Sequence, residues 1–378
     1  MSGIRDVVVL GSTGSIGVQA LEIIAANPSK FRIVGMSAGR KNPNLLMEQA
    51  KKFNVPIVGS MAPAPQTDGV KVIDGDNSSV EIAALPCDIV LNGITGSIGL
   101  GPTLSALAVG NKVALANKES LVAGGELVMK YGRDKLIPVD SEHSAIFQAM
   151  LAGKESDVKK LILTASGGPF RDRADLSVVS VADALNHPTW SMGEVVTINS
   201  ATLVNKGLEI IEAHYLFNLA YEVIEAVIHP QSVVHSLVEF NDGSTIAQAS
   251  PPNMKGPIAY ALAYPERINK ACAPIDWSKS HTWSFSPIDN EKYPAVDLAR
   301  RCGELGGGLP AVYNAANEVA VAAFLAQRIK FTAIIELVEQ VVQSFGSNSP
   351  TTIRDISDVS AIEQSARMKA DELVKEIA

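Results

Sequence analysis

With 378 residues the chain is too long for one ordinary hydrophobic core and predicts two or three domains with ample buried surface. Its 47% hydrophobic and 19% charged content exclude a disordered or fibrous polymer and fit a globular α/β protein. The 40 acidic side chains outnumber the 32 basic ones, and the formal net charge of -8 argues against nonspecific binding to nucleic acid or an anionic membrane, leaving only a local basic pocket open.

The run Val7-Val8-Val9-Leu10 predicts a strand almost at the N-terminus, with no room before it for a signal segment. Helix-like and strand-like segments then alternate: a helix over 18–26, a strand over 31–36, a helix over 45–53 and a strand over 55–58. Further strands are expected at 89–91, 112–115 and 136–139, completing a doubly wound parallel sheet of Rossmann type over residues 1–140. The stretch 89–111 carries no charge, but Gly93, Gly96, Gly99, Gly101, Pro102 and Gly110 interrupt it too often for a membrane helix.

From 141 to 264 the texture becomes that of an α+β domain, with strands expected at 160–164 and 232–240 and a helix near 201–217. Residues 265–294, rich in proline, serine and tryptophan, form the best linker candidate. Residues 295–378 predict a C-terminal helical domain, with helices at 317–327 and 331–344 and a polar, solvated one at 361–377. Cys87, Cys272 and Cys302 show no CxxC spacing, as expected of buried small hydrophobes in a reducing, cytoplasmic compartment.

Gly11-Ser-Thr-Gly14-Ser-Ile-Gly17 lies between the first strand and first helix, where glycines permit a tight turn and close backbone approach to a pyrophosphate. The spacing is GxxGxxG rather than GxGxxG, so a purely structural turn stays open as an alternative. At the end of the second strand, an acidic residue for ribose hydroxyls is replaced by Ala38-Gly39-Arg40-Lys41-Asn42. Basic residues there fit a 2′-phosphate, and one charge-assisted contact would favour NADPH over NADH by roughly ten- to a hundredfold. Two solvated loop cations are the plainer reading.

After the strand at 136–139 comes Asp140-Ser141-Glu142-His143. In extended geometry Asp140 and Glu142 project to one side and could grip a hard cation, Mg²⁺ or Mn²⁺; a helix cap with an acidic first turn is the competing explanation. In Asn205-Lys206-Gly207-Leu208-Glu209-Ile-Ile-Glu212, helical spacing places Asn205, Lys206 and Glu209 on one face, near the hydroxyls of Ser200 and Thr202. A surface Lys-Glu pair is the alternative. Ser166-Gly167-Gly168-Pro169-Phe170 should be a backbone-exposing loop suited to phosphate, and 187–193, with an exposed Trp190 and Met192, a lid near 166–194. Packing of that segment against the body would read the same in sequence. His229-Pro-Gln-Ser-Val-Val-His235 offers two further imidazoles at the opening of a strand.

Taken together, these segments, with Ala116-Asn117-Lys118-Glu119-Ser120, Pro138-Val139-Asp140, Ile228-His229-Pro230-Gln231 and Tyr313-Asn-Ala-Ala-Asn-Glu318, resemble the motif set of the 1-deoxy-D-xylulose 5-phosphate reductoisomerase family over nearly the whole chain. The resemblance implies NADPH-dependent conversion of that small phosphorylated ketose to 2-C-methyl-D-erythritol 4-phosphate in non-mevalonate isoprenoid synthesis. The chemistry it implies is a metal-assisted retro-aldol and aldol rearrangement followed by hydride transfer. It implies a homodimer paired through the central domain, with no nucleic-acid or membrane partner.

By the same resemblance Asp140, Glu142 and Glu209 bind Mg²⁺ or Mn²⁺, and Ser166, Ser200, Asn205 and Lys206 hold the phosphate, with Glu212 a nearby acid. Thr13, Gly14, Ser15, Ile16, Gly39, Arg40, Asn42, Asn117, Glu119 and Gly193 match cofactor contacts, while Lys118, Ser141, Glu142, His187, Trp190 and Glu209 match substrate surroundings. Lys118, Glu142 and Glu209 are the catalytic candidates. One departure is that Arg40-Lys41 fills an interval where the family has a single basic residue. Two rivals are a homoserine-dehydrogenase-like oxidoreductase, which shares the nucleotide-binding start but uses neither metal nor phosphosugar, and a nucleotide-sensing module without turnover.

Overall fold

The structure is a computed structural model that describes residues 3–190, 192–346 and 349–377. The chain forms two compact units, one of Met1–Ser120, Glu126–Ser144 and Asn253–Ala273, the other of Leu121–Gly125, Ala145–Pro252 and Pro274–Ala378.

Strands β1 (Arg5–Leu10), β2 (Phe31–Ala38), β3 (Ile57–Ser60), β4 (Lys71–Asp74), β5 (Ile89–Asn92), β6 (Lys112–Leu115) and β7 (Leu136–Pro138) belong to the first unit. They form one sheet in the order β4-β3-β2-β1-β5-β6-β7, every pair parallel. The central strands are continuous apolar runs because both faces are covered: Val7, Val8, Val9 and Leu10 are fully buried. The helices that follow the strands in chain order are α1 (Ser15–Ala26), α2 (Pro43–Lys52), α3 (Ser78–Ala83), α4 (Leu100–Ala108), α5 (Glu119–Met129) and α6 (Ser141–Met150). The sheet runs outward from β1 in both directions, so the crevice beyond the carboxyl ends of β1 and β5 is the topological switch point at which such sheets take ligands.

The expected sheet is present with local corrections. β4 is an additional edge strand, short and exposed at both ends, with Val72 and Ile73 only half-buried. β3 begins two residues later than expected, past Pro56, which has no N–H to donate. α1 starts at Ser15 rather than 18, and α2 starts at Pro43 in the N1 position that suits proline. Among the described residues, no helix is long and apolar enough to cross a membrane.

The second unit holds β8 (Val158–Ala165), β9 (Ile224–Ile228), β10 (Val234–Phe240), β11 (Thr245–Ala249) and β12 (Ser286–Pro287) in the order β11-β10-β8-β9-β12. Only β8 and β9 pair in parallel. Its helices include α7 (Val181–Leu185), α8 (Glu194–Ala201) and α9 (Val204–Phe217); α10 (Lys255–Ala263) returns to the first unit, where Lys255 meets Glu22 of α1 at 2.8 Å. The helices α11 (Ala295–Leu305), α12 (Leu309–Leu325), α13 (Ala333–Phe345) and α14 (Ile356–Ile377) complete the second unit.

The helix foreseen near 201–217 is α9, beginning at Val204 after Leu203, whose φ of 58° lies in the left-handed region that a bulky side chain rarely enters; α8, ending at Ala201, is an additional helix. Two other expectations change. The strand foreseen from 232 begins at Val234, because Ser232 has a φ of 50°. α14 is not simply solvated: Val359, Ile362, Ala366, Ala370 and Leu373 recur at helical spacing and are buried, and the helix packs on α12.

Candidate functional site

In the first unit the glycine loop joins β1 to α1. Gly11 has a φ of +73°, and a Cβ there would lie 2.9 Å from the Gly93 carbonyl oxygen. A Cβ at Gly17 would lie 2.3 Å from the Gly11 oxygen and 2.5 Å from Ser12 Cα, so the helix packs on the loop at a distance only glycine allows. Gly14 stands at the N-cap without a side-chain hydrogen bond to the first turn, and with Ser15 it is exposed beside half-buried Thr13 and Ile16. Beneath the loop, Ser12 Oγ donates to Gln49 Oε1 at 2.8 Å and Gln49 Nε2 donates back to the Ser12 carbonyl at 3.1 Å, both residues buried. Gln49 lies outside every motif read from the sequence; its only signal is an amide on the apolar face of α2.

Beyond β2, Gly39, Lys41 and Asn42 are exposed, and Arg40 is ion-paired with Asp76 while donating to the Met61 carbonyl at 3.2 Å. Asn117 is buried and occupied: its Nδ2 reaches the carbonyls of Ile94 and Gly96 at 2.7 and 2.8 Å and Glu119 Oε2 at 2.9 Å, and its Oδ1 accepts from Ser120 N at 2.9 Å. Asn117 therefore shapes the loop after β5, the opposite wall of the switch-point crevice.

The acidic segment is not the extended pair expected. The chain turns into α6 at Ser141, Ser144 N donates to the Asp140 carbonyl at 2.8 Å, and Glu142 N donates to Asp140 Oδ1 at 3.3 Å. Asp140 is a good capping residue, and Ser-Glu-His-Ser after it continues readily as helix. Oxygens of Asp140 and Glu142 still lie within 4.8 Å of each other, now by helical rather than strand geometry. Ser141 Oγ donates to Glu142 Oε2. Lys118 Nζ sits 2.8 Å from Asp140 Oδ2, both largely buried, and His143 Nδ1 lies 3.6 Å from Oδ1. Burial works to raise the Asp140 carboxyl, yet the Lys118 ammonium and the His143 ring hold it well below the usual carboxylate range.

The second unit gathers the polar residues expected around a phosphate. Ser166 follows β8, and its Oγ lies 3.0 Å from His187 Nε2, which is 3.2 Å from Ser200 Oγ at the end of α8. Gly168 has a φ of +62°, and a Cβ there would lie 2.9 Å from the Ser200 carbonyl, so the glycine loop lies directly against α8. His187 Nδ1 accepts from the backbone N–H groups of Thr189 and Trp190 at 3.1 and 2.9 Å. In the neutral ring the proton therefore sits on Nε2, facing the two serines. Burial first, then Arg171, lowers the pKa of His187 and keeps it neutral.

Trp190 is half-buried rather than exposed, its ring 6.2 Å from that of His235, because the segment folds back onto His187. Met192 is likewise half-buried, Gly193 is the exposed N-cap of α8, and residue 191 lies outside the described residues. On α9, Lys206 and Asn205 both donate to the Glu209 carboxylate, and Lys206 and Glu209 are 3% and 1% exposed. A surface ion pair is thereby ruled out. Glu212, one turn on, is also buried. His229 is used structurally, its Nε2 accepting from the N–H groups of Val233 and Val234 at 3.2 and 3.1 Å. Asn317 Nδ2 donates to Asn199 Oδ1 at 3.0 Å and braces α8 beside Ser200.

Both halves of this arrangement have counterparts of known identity. Three family models match: "1-deoxy-D-xylulose 5-phosphate reductoisomerase" over residues 7–125, its C-terminal domain over 136–217, and "DXP reductoisomerase C-terminal domain" over 249–369. The 1-deoxy-D-xylulose 5-phosphate reductoisomerase of Streptomyces coelicolor is 50% identical over 100% of this chain and 94% of its own length, and that of Leifsonia xyli is 52% identical over 98% and 99%. Among solved structures, the Zymomonas mobilis enzyme in complex with NADPH matches with a TM-score of 0.91 at 39% identity, covering 98% of this chain and 99% of that one. A DOX-P reductoisomerase complex with NADPH, fosmidomycin and magnesium matches at 0.89 and 37%, covering 98% of each chain. A glycine loop too tight for any side chain, a buried Lys-Glu helix face and relatives at half identity along the full length lead to one conclusion: the chain belongs to the 1-deoxy-D-xylulose 5-phosphate reductoisomerase family.

Proposed function

We propose that the protein converts 1-deoxy-D-xylulose 5-phosphate to 2-C-methyl-D-erythritol 4-phosphate with oxidation of NADPH. The observation that carries this reading is full-length identity of about half to enzymes of that name, joined to a solved relative holding NADPH and magnesium. NADPH is assigned to residues 1–140, its pyrophosphate against Thr13, Gly14, Ser15 and Ile16, and its 2′-phosphate against Gly39, Arg40 and Asn42. Asn117, Glu119 and Gly193 complete the proposed cofactor contacts. The close approach permitted at Gly11 and Gly17 supports this assignment.

Residues 141–264 are assigned to substrate binding and dimerisation, 265–294 to the linker and 295–378 to a C-terminal helical domain. Ser166, Ser200, Asn205 and Lys206 hold the phosphate, oriented by the Nε2–H of His187, while Ser141 and Trp190 bound the sugar. Asp140, Glu142 and Glu209 are the ligands for Mg²⁺ or Mn²⁺. An all-oxygen donor set fits a hard cation, and burial pushes the thiols of Cys87 and Cys302 up to about 11 and about 12, out of use as thiolates. A bound divalent ion supplies Lewis-acid polarisation of substrate oxygens.

The chain's own contribution is charge placed in advance. Lys118, held beside Asp140, is the donor for the substrate oxygen that gains charge during C3–C4 cleavage and during hydride delivery, an effect of about 3 kcal/mol for an oxyanion donor. Glu142 and Glu209 are the other catalytic groups. The protein works as a homodimer in the cytoplasm, a reading supported by the family pattern and by three free cysteines. The test is to mix purified protein, Mn²⁺, NADPH and 1-deoxy-D-xylulose 5-phosphate and follow the nicotinamide absorbance. Substrate-dependent loss that chelation abolishes is expected, and its absence overturns the function.

A further inference from the structure

We propose that Lys292, which lies outside the motifs read from the sequence and in the segment read there as a linker, is a positioning residue for the phosphate subsite. Its Nζ donates to two consecutive carbonyls, Phe170 at 2.7 Å and Arg171 at 2.9 Å, across 122 and 121 residues of chain. Those carbonyls close the loop that begins at Ser166. Within that loop Gly168 N donates to Ser166 Oγ at 3.2 Å, and Arg171 Nη1 donates back to the Ser166 carbonyl at 3.3 Å. The Phe170 ring is 2% exposed and meets Phe331 edge to face at 5.1 Å. The loop is thus anchored by a buried ring on one side and by the Lys292 ammonium on its backbone.

Lys292 is itself presented by a turn. Asp289 Oδ1 accepts from the N–H groups of Glu291 and Lys292, both at 3.1 Å, and Tyr293 N donates to the Asp289 carbonyl at 2.9 Å. The ammonium lies 5.3 Å from the Tyr293 ring. The Phe170 carbonyl also accepts from Arg173 N at 3.0 Å, which closes the turn, and a lysine head with three donors ties that turn and the next carbonyl to one point. A shift of the loop moves Ser166 Oγ relative to His187 Nε2, whose other partner is Ser200 Oγ, and the close packing of Gly168 on the Ser200 carbonyl leaves the loop little room on that side. Lys292 therefore acts on the phosphate through the loop and without touching it.

The inference rests on the proposed function, since it assigns Ser166 to a phosphate. The test compares wild type with Lys292→Met, Lys292→Arg and Asp289→Ala, measuring kcat, KM for each substrate, and Ki for inorganic phosphate competing with the sugar phosphate. In Lys292→Met, KM for the sugar phosphate and Ki for phosphate should rise together by about tenfold, which corresponds to ~1.4 kcal/mol. KM for NADPH should stay within about twofold, and Lys292→Arg should recover most of the loss because it too can donate to both carbonyls. Unchanged KM and Ki in Lys292→Met, a loss confined to kcat, or no recovery in Lys292→Arg would each overturn the proposal. If Lys292→Met does not fold, Asp289→Ala must reproduce the KM and Ki rise in smaller degree, and failure to do so overturns it. Broadening of the ³¹P signal of inorganic phosphate by each protein needs no turnover: reduced broadening in the variants supports the clamp even if wild type fails to use the ketose phosphate, whereas equal broadening sinks the clamp alone.

Discussion

Replacement of Gly17 by alanine isolates the nucleotide loop from the rest of the site. The new methyl would lie 2.3 Å from the Gly11 carbonyl oxygen and 2.5 Å from Ser12 Cα, both backbone atoms. Ordinary contact between such atoms is about 3.5 Å, so loop and helix must separate by roughly 1 Å. The loop has little room to give. A side chain at Gly11 would already crowd the Gly93 carbonyl, and Ser12 is tied to Gln49 by two buried hydrogen bonds. Overpacking of this kind costs about 1–3 kcal/mol of stability. Losing one charge-assisted bond to the pyrophosphate costs about 1.5–3 kcal/mol, or roughly ten- to 150-fold in Kd for NADPH. Fluorescence titration with NADPH reads this directly, and a thermal melt confirms that the variant is folded. At saturating NADPH, the KM for the sugar phosphate should stay within about twofold, because Ser166, His187, Ser200 and Lys206 belong to the other unit. A folded variant that binds NADPH within threefold of wild type would refute the argument that the pyrophosphate lies against this backbone.

Arg40→Gln should reduce the preference for NADPH over NADH by roughly ten- to a hundredfold while leaving NADH binding unchanged; an equal loss with both cofactors would show that Arg40 serves the loop rather than the 2′-phosphate. Glu209→Gln should abolish metal-supported turnover and spare NADPH binding, and an unchanged Mn²⁺ activation curve would move that ligand elsewhere. The same change leaves Lys206 buried beside a neutral amide, so a drop in melting temperature is also expected, bounded by the roughly 3–5 kcal/mol for breaking a buried pair. For His187 the folded pKa lies below the ordinary 6.5, so the stabilisation from its neutral ring is fully present above about pH 6.5 and is lost as pH falls through the folded value. Protonation then sets an N–H at Nδ1 against the amides of Thr189 and Trp190. Proton NMR of the ring should show titration below 6.5, and titration above that value contradicts the assignment.

What sequence could reveal follows the physics of each element. β1, β5 and β6 are legible because burial on both faces demands unbroken apolar runs, whereas β4, lying exposed at the edge, carries no such demand. The division between α8 and α9 left no trace, because the chain turns at Leu203 without glycine or proline and tertiary packing imposes the strained conformation. Asp140-Ser-Glu-His was open to strand and helix alike, and the cap formed by Asp140 decided for helix. Site residues inside motifs were readable as types. Gln49 and Lys292 were not, because their partners are distant in the chain and nothing local marks an amide or an ammonium that will meet a particular carbonyl.

The two amides that point at His187 have a consequence for the proton inventory of the reaction. With its Nδ1 lone pair occupied and its Nε2 already carrying hydrogen, this imidazole has no vacant basic site at neutral pH. It can steady an oxygen but cannot abstract from one. Any step that deprotonates a sugar hydroxyl must therefore recruit its base from another group, and an isotope effect on that step should survive replacement of His187 by a neutral hydrogen-bond donor.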